Sequence, residues 1–436
     1  MIFEKVRYIL RNKPIKKETM KPLKLLADQI NRRDFLKKSA LLTTTALAYK
    51  YGLNNVYARY APLNNRVVWL HDSQATFWNG SGYYGSAVNQ LRVNAMLDRG
   101  IKVLTGENNL ETAWEQIIPS YSAGTKIAIK VNVNCAGNGV SIDITPPTVN
   151  AVIRGLKLRG VQESDIYIMD PSNIVSTIIG NPILAVYPNV VIWDAVGTHG
   201  HTVTFDYSPS ASTTIEHTNP NLTGENHYSF MPQQLGEAAY LINMPIMKAH
   251  GAAEISLTFK NCFGLLLRGS ISKLHNYALP YRQIIYTQNP LHDIYLNTNV
   301  KDKTVLIVGD GLFCSRVETE DPPEVWNTFG GHFPNSIFVS TDPVAIDSVM
   351  FDFLNAEVER NVESQMYLHR AMELNLGIHE HWNNASSKQY SSIDFHAIEM
   401  SSVSRSDIDQ KVKEYKSGNA DLNEVQKTIQ DYLKGI

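Results

Sequence analysis

Between Pro245 and Gly264 the chain reads PIMKAHGAAEISLTFKNCFG. Lys248, His250 and Lys260 are the chemically capable side chains of this block, with Ser256, Asn261 and Cys262 among them. Two lysines and an imidazole suit an anionic group such as a carboxylate or a phosphate. A lysine whose pKa is lowered by a cationic neighbour can also act as a base or nucleophile. A strand ending near Met244 would put Lys248 and His250 in the turn beyond it. A following helix would carry Ser256 and Lys260, four apart, on one face. In open α/β sheets ligands bind beyond the carboxyl ends of the strands, so the block falls where a ligand would sit. The same residues also read as two solvated lysines and a turn histidine, and spacing alone leaves both readings open.

Other residues could join this chemistry. Lys130 and Asn132 end a strand-like run, KIAIKVNV, and are candidates for ligand binding with Ser256 and Asn261. Asp310 ends the run VLIVGDG at the same kind of edge. There it could hold a metal, orient a lysine or cap a turn. Asp347 lies in an otherwise apolar helical stretch, so its carboxylate is expected to be exposed or paired, with Lys130 or Lys260 as partner. Lys248, His250, Lys260, Asp310 and Asp347 are therefore the catalytic candidates. Asp342 before Pro343 is read instead as a helix N-cap. His199 and His201 form a close histidine pair. On a strand they would point the same way and could share a metal, whereas flanking glycines favour a loop; they are weak metal candidates only. Cys135 and Cys262 follow the two lysine motifs closely, which suggests proximity, or simply buried packing. No P-loop, HExxH or GxSxG is present, and no GxGxxG directly follows a strand-like run.

Strand-like runs at Arg66–Leu70, Lys126–Val133, Ile166–Met169, Asn189–Trp193, Leu241–Met244, Thr304–Val308 and Ser336–Val339 would position these residues. Helical patterns separate several of them, as in Ser86–Arg99, Leu110–Ile118 and Thr145–Arg159, the last stopping at Gly160. This alternation predicts an α/β fold with a mostly parallel sheet flanked by helices. Residues 199–236 break the rhythm and read as a β- or loop-rich insertion. After Glu357 the pattern is mainly helical, including Asp407–Lys416 and Leu422–Leu433. The expected organisation is a leader over 1–58, an α/β domain over 59–356 and a helical extension over 357–436.

The leader reading rests on Asn31-Arg32-Arg33-Asp34-Phe35-Leu36-Lys37, a twin-arginine-like stretch. It is followed by a short, mildly apolar core, Ser39 to Tyr49, and a small-residue cleavage site at Val56-Tyr57-Ala58. That core is too short to span a bilayer. The expected partner is the twin-arginine translocase, and the expected location is periplasmic or otherwise extracytoplasmic. An uncleaved leader would instead anchor the chain to the membrane. The 436 residues carry a formal charge of −2. Removing residues 1–58, with thirteen Lys/Arg and four Asp/Glu, leaves 27 basic and 38 acidic side chains. A chain that acidic is a poor nucleic-acid binder. Three cysteines, Cys135, Cys262 and Cys314, are too few for a protein-ligated four-iron cluster, and the cofactor is left unknown.

Several pieces together resemble one family, domain of unknown function 362. Lys248, His250, Ser256, Lys260, Asn261, Phe263 and Gly264 match its run "lpKtHgltgvTlalKNlfG", with Ser for Thr. Lys130-Val131-Asn132 resembles its "iKpN", with Val for Pro. Thr145–Gly160, Asp310-Gly311 and Thr341–Asp347 resemble further pieces in the same order. The resemblance covers roughly residues 100–355. It implies no assigned activity. Many members carry a ferredoxin-like, Cys-rich domain, and this chain lacks those cysteines. Some members have twin-arginine signals. Two readings follow: an exported enzyme acting on a small anionic substrate or cofactor, or a periplasmic binding or assembly factor with the same pocket and no turnover.

Overall fold

The computed structural model describes residues 65–133, 139–250, 254–278, 286–317, 321–360, 362–400, 405–417 and 421–434. The twin-arginine stretch, the cleavage site and Cys135 lie outside the described residues.

Among the described residues nine strands form one sheet. In chain order they are β1 (Arg66–His71), β2 (Ile127–Lys130), β3 (Ile166–Asp170), β4 (Val191–Asp194), β5 (His201–Thr202), β8 (Tyr240–Asn243), β11 (Thr304–Gly311), β12 (Ser336–Ser340) and β13 (Asp394–Glu399). Two further ribbons pair β6 (Thr214–Glu216) with β7 (Tyr228–Phe230), and β9 (Lys248–His250) with β10 (Glu254–Ser256). The large sheet has the order β13-β1-β12-β11-β8-β2-β3-β4-β5. Its pairings make β12 the one strand that runs against the others. The mostly parallel α/β sheet predicted from the sequence is thus what forms.

Alternation along the strands builds two separate cores. Ile127 and Ile129 of β2, Ile166 and Ile168 of β3 and Ile242 of β8 face one apolar layer. That layer is closed by α1 (Gln90–Thr105), α2 (Leu110–Ile117), α3 (Pro146–Leu158) and α4 (Thr177–Val186). Ala128, Met169, Leu241 and Phe338 face the other layer. It is covered by α5 (Thr258–Asn261), α6 (Arg268–Ala278), α7 (Pro290–Leu296), α8 (Pro343–Glu357) and α9 (Met366–Glu373). Strands buried on both faces explain why the sheet reads as near-continuous apolar runs.

The helix ends follow local chemistry. Asp342 accepts from the N–H groups of Val344 and Ala345 at 2.9 and 2.8 Å, so it is the N-cap of α8 that the Asp-Pro pair predicts. Thr145 occupies the equivalent place before α3, but its hydroxyl donates to Asp310 at 3.1 Å instead of capping. Gly160, with φ +87°, takes the left-handed conformation that ends the segment after α3.

Residues 199–236 form short strands and loops, with β6 and β7 as their ribbon. The C-terminal part is mainly helical, ending in helices Arg405–Lys416 and Leu422–Lys434. It also supplies β13, a strand not expected there, which pairs in parallel with β1 across six residue pairs. Arg66 and Asp394 reinforce this pairing with an ion pair at 2.7 Å. Among the described residues no helix is long and apolar enough to cross a membrane.

Candidate functional site

The carboxyl ends of β2, β3 and β8 each carry a polar residue: Lys130, Asp170 and Asn243. Register places Lys130 opposite Asn243 across β2 and β8. Both lie on the face covered by α5, and α5 completes the group with Asn261.

A hydrogen-bond relay fixes every amide in it. Asn243 Nδ2 donates to the Thr258 carbonyl at 3.1 Å, so its oxygen must face Asn261 Nδ2, at 2.7 Å. Asn261 Oδ1 is thereby turned to accept from Lys130 Nζ at 3.2 Å and Asn132 Nδ2 at 3.1 Å. The Thr258 carbonyl can only accept, which settles these orientations. Asn132 Oδ1 is left buried with no donor among the described residues.

Lys130 is almost wholly buried and pairs with Asp170 at 3.1 Å, donating also to its neighbour's carbonyl on Val131. The second carboxylate oxygen of Asp170 accepts from Ser172 Oγ at 3.0 Å. Gly264 is required by close approach. A Cβ there would lie 2.4 Å from Lys130 Nζ and 3.1 Å from Asp170 Oδ1.

Above this layer lies a cavity of about 520 Å³. Lys130, Asn132, Ser256, Lys260, Asn261 and His250 line it, as do Asp170, Ser172, Asn173, Phe263, Arg268 and His275. Among the described residues, Lys130, Lys260 and Arg268 share the lining with a single carboxylate, Asp170, so this wall is net cationic. Arg268 donates to Asn173 Oδ1 at 3.2 Å, which holds it at the rim.

Lys260 is half-buried, and its ammonium has no hydrogen-bond acceptor among the described residues. It lies 4.7 Å from the centre of the Phe263 ring. Burial, and then the charges of Lys248 and Lys130, push its pKa down to about 7. His250 stacks on His275, with ring centres 5.7 Å apart. Burial and the neighbouring Lys260, His275 and Lys248 push the His250 pKa down to about 2, so its imidazole is neutral at ordinary pH. Lys248 is fully buried and donates to the Ile142 carbonyl.

The local structure differs from the predicted turn and helix. Lys248 and His250 lie on β9, and Ser256 lies on β10 opposite Lys248. The helix begins only at Thr258. Its start is held by Asp347, whose carboxylate accepts from the N–H groups of Thr258 and Phe259 at 2.8 and 3.3 Å, and from Tyr367 Oη at 3.0 Å. Asp347 is fully buried away from the cavity and pairs with neither Lys130 nor Lys260. Burial pushes its pKa up to about 7.

Asp310 also lies outside the cavity lining. Its carboxylate accepts from the Thr148 and Thr145 hydroxyls at 2.9 and 3.1 Å and from the Leu312 N–H at 3.0 Å, clamping α3 to β11. The structure therefore gathers Lys130, Asn132, His250, Ser256, Lys260 and Asn261 as the sequence suggests. It sets Lys248, Asp310 and Asp347 behind them: none of the three lines the cavity, and Lys248 is buried on the Ile142 carbonyl.

His199 and His201 are not brought to one point of binding. His199 Nε2 contacts the Val175 carbonyl at 2.9 Å, while the exposed His201 ring lies tilted against Trp193, with ring centres 5.0 Å apart. Among the described residues no three His, Cys, Asp or Glu side chains group as a metal site. Cys262 and Cys314 are buried free thiols. Asp170 had a sequence signal, since it ends a strand at the same edge as Lys130. Arg268 and His275, on α6, had none.

The fold and this edge define the class: a layered α/β protein with a polar, cationic cavity at the carboxyl ends of parallel strands. The family model described as Domain of unknown function (DUF362) matches residues 127–352, and the chain belongs to that family. No curated protein matches the chain. Among solved structures it is similar to the lactate racemase apoprotein from Thermoanaerobacterium thermosaccharolyticum, at 14% identity and a TM-score of 0.31. That match covers 60% of this chain and 55% of the other, little more than half of that protein's length.

Proposed function

We propose that this chain is an exported protein that binds a small anionic substrate or cofactor in the cavity between β2, β3, β9 and α6, and acts on it as an enzyme. One observation carries the reading: three cationic side chains share the cavity with one carboxylate, and the ammonium of Lys260 has no acceptor among the described residues. A half-buried cation without a partner is held at a desolvation cost that solvent screens only in part. A bound carboxylate or phosphate would offset that cost with charge-assisted hydrogen bonds.

Titration calorimetry with inorganic phosphate and with pyruvate tests the reading. Binding should strengthen as pH falls through about 7, where Lys260 gains its proton, and should be lost in Lys260→Ala. Unchanged affinity in that variant would refute the site. Export through the twin-arginine route rests on Arg32 and Arg33 in the leader over residues 1–58. Replacing both by Lys should hold the chain in the cytoplasm on fractionation. The second reading, a periplasmic carrier or assembly factor without turnover, is favoured by Asp310 and Asp347. Both are engaged by N–H and hydroxyl donors, and Asp170 is tied to Lys130, so no carboxylate of the three is free as a base.

A further inference from the structure

The anion-binding reading leaves unexplained why Lys260 should be mounted so differently from its two neighbours. Lys130 is held by a carboxylate and two carbonyl oxygens, and Lys248 is docked on the Ile142 carbonyl. Both amines are held in place by these acceptors. Lys260 has no such anchor among the described residues. Its stem rises from α5, whose first turn Asp347 clamps. Its nitrogen reaches the cavity over the face of Phe263. It is an amine fixed at the base and free at the tip, in a field set by two other lysines.

From this geometry we propose that Lys260 is a nucleophile forming an imine with a small carbonyl compound that also carries an anionic group. The inference rests on the anion-binding reading and names its substrate class. In the step, the nitrogen lone pair attacks the carbonyl carbon. A C–N bond forms while the carbonyl π electrons move to oxygen, which takes up a proton. Loss of that oxygen as water gives the imine, so amine plus carbonyl yields imine plus one water, with no oxidant or reductant. The anionic group of the substrate meets the cationic wall, with Arg268 at the rim. The unpartnered Asn132 Oδ1 supplies an acceptor for a substrate hydroxyl or the transient carbinolamine hydroxyl.

The electrostatics favour this use over simple charge pairing. Burial and the fields of Lys248 and Lys130 bring Lys260 to about 7, so much of it is the free amine at neutral pH. A cationic neighbour is an established way to activate a lysine for Schiff-base chemistry. The same two lysines that depress its basicity would attract the substrate's charge.

The test is borohydride trapping on the full wild-type chain at neutral pH, with pyruvate, dihydroxyacetone phosphate and neutral dihydroxyacetone as separate probes. The reduced adduct is located by peptide mapping, and binding of pyruvate and inorganic phosphate is measured in parallel. We expect pyruvate or dihydroxyacetone phosphate to label the Lys260 peptide over solvated lysines on the order of a thousandfold, given the difference in free-amine fraction. Dihydroxyacetone should label it far less, and Lys260→Arg, which keeps the charge, should abolish the adduct. Whether pyruvate or dihydroxyacetone phosphate labels better distinguishes a carboxylate from a phosphate substrate. If the anions bind but neither anionic probe labels Lys260, or labelling is spread evenly over surface lysines, the nucleophile assignment is overturned while the binding reading stands. If no anion binds, both fall. Equal labelling by dihydroxyacetone would overturn the requirement for an anionic group.

Discussion

Lys260→Met should stabilise this protein, and the gain should depend on pH in a defined way. Met keeps the apolar stem and lacks only the terminal nitrogen, so the desolvated charge is removed with little loss of packing. In the native chain the Lys260 pKa is lowered from 10.5 to about 7. Above 10.5 the amine is neutral in both folded and unfolded chains, and its ionisation adds nothing to stability. As pH falls below 10.5 the unfolded chain takes up the proton first, so wild-type stability declines. The decline stops below about 7, where both states are protonated. The full span corresponds to about 5 kcal/mol at 1.36 kcal/mol per unit. Because Lys260 is only half-buried, solvent screening reduces the expected effect to about 2 kcal/mol. Urea unfolding at pH 6 and pH 10 measures it. The difference between Lys260→Met and wild type should be larger at pH 6. A difference equal at both pH values would refute the claim that the fold holds this lysine at an electrostatic disadvantage. A stabilising loss of a polar residue is also what a site kept for function rather than stability would give.

Asp170→Asn should destabilise the chain by about 3–5 kcal/mol, because it leaves Lys130 buried without its counter-charge; adding Lys130→Met should restore part of the loss in urea unfolding. Gly264→Ala drives a methyl group against Lys130 Nζ, at 2.4 Å, and should cost about 1–3 kcal/mol while weakening phosphate binding in calorimetry. Asp347→Asn should be better tolerated at pH 8 than at pH 5. The native carboxyl is raised from 3.8 to about 7, so wild type gains stability as pH falls through that range and the amide does not. Cys262, buried and with its thiol pushed up to about 12, should resist iodoacetamide in the native chain and react only after unfolding, as read by peptide mapping.

Much of the architecture is written in the local pattern. The apolar runs of β1, β2, β3, β8, β11 and β12 stand out because each is buried on both faces. The Asp342–Pro343 pair marks the start of α8 because the cap chemistry is local. The cavity's main side chains were legible for a similar reason, since ligands collect at strand ends. What the pattern could not show depends on distant partners. Asp347 looks like a stray carboxylate in an apolar helix, and only the fold brings the N–H groups of Thr258 and Phe259 to it. Asp310 is engaged by two threonines more than 160 positions away in sequence, separated from it by 162 and 165 residues. Lys248–His250 and Glu254–Ser256 pair as strands, and the helix starts only at Thr258, where Asp347 accepts from the first N–H groups. Strand β13 escaped notice because its burial alternates only weakly at an exposed sheet edge.

The placement of β1 has a consequence for how the chain is made. Both of its neighbours, β12 and β13, are encoded far downstream, at residues 336–340 and 394–399. As synthesis proceeds from the amino end, β1 emerges early and has no partner until most of the polypeptide has left the ribosome. Pairings of such high sequence separation are slow to form, and an unpaired strand is a template for aggregation in the meantime. The nascent chain therefore has a long interval in which a holdase would be most useful, and that interval closes only when the last quarter of the sequence docks.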